Sequence, residues 1–89
     1  MNDESVDMTH IFELAKATQM VSDDIDEIHE DAMKSVTRLL INAKTQDDHI
    51  DLCKIIAYMK TMKEFANNQI QMMKETIEHM ANQEMGGDI

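Results

Sequence analysis

The chain has 89 residues and a net charge of −10, from 18 Asp and Glu against 8 Lys and Arg. It holds no Pro, two Gly, one Tyr, two Phe, no Trp, one Cys and ten Met. That composition disfavours strands, excludes an intrachain disulfide, and argues against a surface that binds nucleic-acid phosphates unaided.

The first ten residues, MNDESVDMTH, are acidic and polar, unlike a signal peptide. Residues 1–12 read as a frayed segment or a short separate helix. No window approaches the roughly 20 apolar residues that a membrane-spanning helix needs, so no membrane partner is expected. With one cysteine, a reducing, cytoplasmic setting is the expectation.

From residue 13 a helical stripe begins. Leu14, Thr18, Val21, Ile25, Ile28, Ala32, Val36, Leu39 and Ala43 follow one another at steps of three or four. The first helix is therefore placed at 13–44, with a weaker break possible at Ser22, a residue suited to capping. The polar patch TQDDH interrupts the stripe. A turn over 45–48 is expected there, with Asp47 or Asp48 capping the next helix and Lys44 suiting the end of the first.

The periodicity resumes with Leu52, Ile56, Met59, Met62, Ala66, Ile70, Met73, Ile77 and Met80. The second helix is placed at 49–83. A glycine pair, Gly86-Gly87, offers a stop, and 84–89 reads as a flexible tail. So short a turn makes the helices antiparallel. The fold class is all-α: one domain, a long antiparallel two-helix hairpin of coiled-coil type. Its expected core is Ile25, Ile28, Ala32, Val36 and Leu39 against Leu52, Ile56, Met59, Met62, Ala66, Ile70 and Met73.

Further apolar residues lie beside these stripes: Met33 and Leu40 on the first helix, Ile55, Phe65 and Met72 on the second. One hairpin partner cannot cover them all, and so small a chain is poorly stabilised by one seam. They are assigned to contacts between subunits of a homo-oligomer, with a closed ring as the expected form.

Two stretches suggest chemistry. DDIDEIHED, Asp23 to Asp31, places Asp26 and His29 on one helix face, and Glu75, Glu78 and His79 repeat the theme. Helical bundles do hold metals with such sets. In a hairpin, however, residue 29 lies opposite residue 63, and the two clusters stand about 20 Å apart along the axis. The acidic run is better read as a solvated face or an electrostatic docking patch. Cys53 follows His49 by one turn and reads as a small core residue, without a third group to activate it. No catalytic, cofactor or metal residues are assigned, and no enzyme activity is expected.

LLINAKTQDDHIDLCKIIAYMKTMKEFANNQIQMMK resembles the central hairpin of the small terminase subunit of T-even-type contractile-tailed phages. The features that match are Leu39, Leu40, Ala43 and Lys44 at the first helix end, then Lys60, Thr61 and Asn67. The resemblance spans about Val21 to Lys74. The family's turn often carries Pro-Arg where this chain has His49-Ile50, and no basic flanking domain is visible. The resemblance implies a ring of hairpins in the cytoplasm of an infected cell. Such a ring would regulate DNA packaging by its partner, the large ATPase and nuclease subunit, meeting DNA only indirectly or through the assembled ring. Two other readings of the residues stand beside it: a helical chaperone or adaptor that shields a partner's helix, and an acidic DNA mimic that blocks a host defence protein.

Overall fold

The computed structural model describes residues 7–86. It consists of two packed helices, α1 (Met8–Ile41) and α2 (Gln46–Gly86), joined by residues 42–45. The molecule is a rod of 65 × 20 × 17 Å with a radius of gyration of 20.0 Å. A compact domain of this length would have a radius of gyration of about 12 Å. The rod is longer because the helices continue for their full length with nothing to fold back against.

Helix α1 begins earlier than expected. Asp7 is its cap, in extended backbone, and its Oδ1 accepts the His10 amide at 3.1 Å. The same carboxylate lies 3.1 Å from the His10 ring. This satisfies one of the free N–H groups of the first turn, so residues 8–12 join α1 instead of fraying. Residues 1–6 lie outside the described range. At Ser22 the helix runs on unbroken, and that residue is half-buried.

The turn is also shifted, to 42–45. Asn42 ends α1: its amide reaches the carbonyls of Arg38 and Leu39 at 3.2 Å, and its side-chain Nδ2 donates to Arg38 O at 3.0 Å. Among the described residues no φ is positive. The chain reverses without a left-handed residue, which is why the turn needs no glycine. Thr45 caps α2, its hydroxyl accepting the Asp48 amide at 3.1 Å. Asp47 and Asp48 thus stand in the first helical turn, where their charge complements the helix dipole, and not at the cap. At the far end α2 continues to Gly86, past the expected stop at 83. The proposed tail residues 87–89 lie outside the described range.

The seam between the helices is thin. Among the described residues only Ile11 (3% exposed), Thr18 (3%) and Ile70 are buried. Ile25, Ala32, Val36, Leu52, Ile56, Met59 and Ala66 are half-buried. Four expected core residues are instead exposed: Ile28 (68%), Leu39, Met62 (70%) and Met73. The reason is a choice between neighbours on the helix surface. After Ile25 the seam steps by four to His29, and after Met59 it steps by four to Lys63; both are half-buried. Ile28 and Met62, three residues on, swing out to one side of the seam. Lys63 suits the seam because its aliphatic stem lies along it while Nζ reaches Asp26 Oδ1 at 2.7 Å.

A candidate assembly surface

The two sides of the hairpin differ in chemistry. Because the helices are antiparallel, residues that precede the seam in the helical rotation fall on the same side for both. On one side stand Leu14, Val21 and Ile28 of α1 with Ile55, Met62 and Met72 of α2, all exposed. A groove on this side is lined by Ile25, Ile28, His29 and Ala32 from α1 and by Met59, Met62, Lys63 and Ala66 from α2. Towards the open end a second groove, lined by Leu14, Thr18, Gln69, Met72, Met73, Thr76, Ile77 and Met80, continues it. Opposite, the groove near the open end is more polar: Gln19, Gln71, Lys74, Glu75 and Glu78 line it together with Ile11, Phe12, Ala15, Ile77 and Ala81. Lys60 and Asn67 share that polar side, and the Asp26–Lys63 ion pair crosses the seam there.

Helix α2 carries a second stripe. Ile55, Tyr58, Met62, Phe65 and Met72 repeat at steps of three, four, three and seven, with Gln69 at the intervening position. All five apolar members are exposed, Phe65 to 64%. This pattern is that of a coiled-coil seam, repeated about 110° around the helix from the first. From spacing alone Ile55, Phe65 and Met72 are expected on such a surface and Met62 in the core, with Tyr58 in neither set. The signal was present in the spacing; it was hidden because Met62 also fits the first stripe.

The residues expected between subunits therefore divide. Ile55, Phe65 and Met72 lie exposed on the apolar side. Met33 and Leu40 are half-buried on α1 and do not belong to that side. Leu40 takes the place near the turn that Leu39 was expected to fill, since the seam there runs through Val36, Leu40 and Ala43.

His49 Nδ1 and Cys53 Sγ are 3.8 Å apart on the exposed outside of α2, and the thiol is free. Cys53 is thus exposed, not a core residue as expected. No group of three or more His, Cys, Asp or Glu among the described residues is disposed to hold a metal ion. The acidic run from Asp23 to Asp31 is exposed at each of its Asp and Glu residues. Among the described residues no helix is long and apolar enough to cross a membrane.

Of the residues that carry the resemblance, Leu40, Ala43 and Lys44 mark the end of α1 and the turn. Lys60 and Thr61 share one turn of α2 and Asn67 lies about two turns on; Thr61 Oγ1 donates to Ala57 O at 3.1 Å. The His49-Ile50 pair falls within the first turns of α2, not in the connecting turn. Comparisons with models of known families, with curated proteins and with solved structures found no match.

Proposed function

We propose that the chain is a non-catalytic, self-assembling hairpin subunit of the small-terminase type, which regulates DNA packaging by a large ATPase and nuclease subunit. The observation that carries the assembly reading is the exposed second stripe of α2, Ile55 to Met72. A stripe with coiled-coil spacing and a Phe and a Tyr in it is costly to leave in water, and a third helix is what its geometry accepts. The packaging role rests on the resemblance through Leu39, Leu40, Ala43, Lys44, Lys60, Thr61 and Asn67.

The charge distribution supports a regulator that meets DNA indirectly. Lys54, Lys60, Lys63 and Lys74 are the only basic residues of α2, and Lys63 is engaged with Asp26. Phosphate contacts need clustered cations, and a chain of net charge −10 repels the backbone.

The test has two stages. Light scattering on the native protein should give a multiple of the chain mass, and Phe65→Asp should dissociate it while circular dichroism retains much of the helix. The assembled protein, and not the Phe65→Asp variant, should then change the ATPase rate of a large terminase subunit. A parent that is monomeric, or an ATPase rate indifferent to the assembled form, defeats the reading. Helix gained only on adding a partner protein would favour the adaptor instead.

A further inference from the structure

We propose that the groove midway along the hairpin docks a basic amphipathic helix of another protein. Such docking holds whether or not the chain also assembles with itself.

Large apolar side chains are exposed at several places, and the walls around them differ. Beside Phe12 the groove mixes Ile11 and Ile77 with Lys74, Glu75 and Glu78. Ile41 stands by a depression walled by residues 30–42 alone, among Glu30, Lys34 and Arg38. The middle groove takes apolar walls from both helices. Its floor is the half-buried pair Ala32 and Ala66, and its rims are the exposed Ile28 and Met62. Its one lysine, Lys63, turns its Nζ to Asp26, across the seam on the polar side.

The form of the occupant follows from the walls. A floor of two alanines lets a third backbone come close, and the ridges of one helix fit the groove between two others. Helical walls have no free backbone N–H or C=O to offer, because each helix pairs its own. An extended segment would bury its peptide groups unpaired there, whereas a helix arrives with them satisfied. The groove continues to Leu14 at the open end. From Ala32 to Leu14 is about 27 Å, the length of a helix of about 18 residues.

Charge identifies the occupant further. Asp24 and Asp31 stand four before and three after Ile28, so both flank its outer side. Both are exposed, and among the described residues neither joins a salt bridge. On α2 the matching positions beside Met62 are Tyr58 and Phe65, exposed and uncharged. One edge of the groove is therefore acidic and the other aromatic. A helix with an apolar stripe and Lys or Arg along one flank fits both edges, with its cations towards α1. A second copy suits the acidic edge less well, since it brings a further net charge of −10.

The probe is a synthetic peptide of about 18 residues built from Leu, Gln and Lys, with Leu at helical spacing and Lys on one flank of the stripe. By fluorescence anisotropy at physiological salt, the full chain should bind it at least about tenfold more tightly than the same peptide with Glu for Lys. Asp24→Asn with Asp31→Asn should weaken binding about fivefold or more, and Ile28→Gln likewise. Glu75→Gln with Glu78→Gln makes the same change of charge elsewhere, and Phe12→Gln removes an apolar group from the other groove. Both should leave binding within about twofold of the parent. Equal weakening by the two charge pairs would reduce the effect to general attraction by an acidic chain and overturn the proposal. So would failure of the cationic peptide to bind, including the case in which Ile28→Gln lowers the native mass and a second copy holds the groove. Asp24 and Asp31 are exposed, so their variant decides the point even where Ile28→Gln fails to fold. A monomeric parent that binds the peptide would uphold this docking and defeat the self-assembly reading.

Discussion

The open end of the hairpin and its middle share one seam but hold together differently. At the open end Ile11, Thr18 and Ile70 are enclosed, and Ile11 lines one groove wall with Ile77 and Ala81. Midway, Ala32 and Ala66 stand beside His29 and Lys63, and none of them is buried. The tight region is thus the one farthest from the connecting turn. Nearness to the connecting turn does not decide where the helices grip. Branched Ile residues fill the space between the helix axes, whereas alanine leaves a groove and lysine bridges it with a charge.

Ile70→Ala should give the largest loss, about 2–4 kcal/mol, because it empties an enclosed position. Met59→Ala, midway along the seam and half-buried, should cost about half as much or less. Denaturant unfolding at one fixed protein concentration measures both, since assembly adds to apparent stability. Equal losses would erase the contrast between the two regions.

The turn supplies a smaller, local effect. Thr45→Ala removes the acceptor for the Asp48 amide and should cost about 1 kcal/mol. Asp47→Ala, in the first helical turn, should cost only about 0.3–1 kcal/mol through the dipole. If Asp47→Ala were the more damaging, the cap would lie at Asp47 and not at Thr45.

The middle offers the smallest change in energy and the sharpest test of its role. Asp26 is more than half exposed, so its bond to Lys63 should contribute less than about 1 kcal/mol and weaken with salt. Lys63→Met should keep stability within about 1 kcal/mol of the parent or raise it. It would also remove the one charged residue of α2 whose place in the seam favours a single register. Spin-label distances between positions on the two helices should then broaden if the ion pair aligns the helices. Unchanged, narrow distances would assign alignment to Ile11, Thr18 and Ile70 alone.

Much of the fold was legible in the order of residues. Two long stripes of apolar positions, no proline, and one polar break specify two helices and their antiparallel pairing, because helix formation depends on local periodicity and a short link leaves no other direction. The caps were half legible. Asp7 and Thr45 are ordinary capping residues, but Ser22, Asp47 and Asp48 are equally plausible, and only backbone hydrogen bonds select among them.

The seam was decided by the tertiary structure. Ile28 or His29, Met62 or Lys63, Leu39 or Leu40 each satisfy a spacing of three or four, so the residues alone leave a tie at every turn. Packing breaks the tie for the whole helix at once, because rotating α2 to bury Met62 would withdraw Lys63 from Asp26. That same rotation gathers Ile28, Met62 and Phe65 on one side and leaves Lys60 and Asn67 on the other. Which side of the hairpin is apolar is therefore a property of two helices in register, and no single stripe contains it.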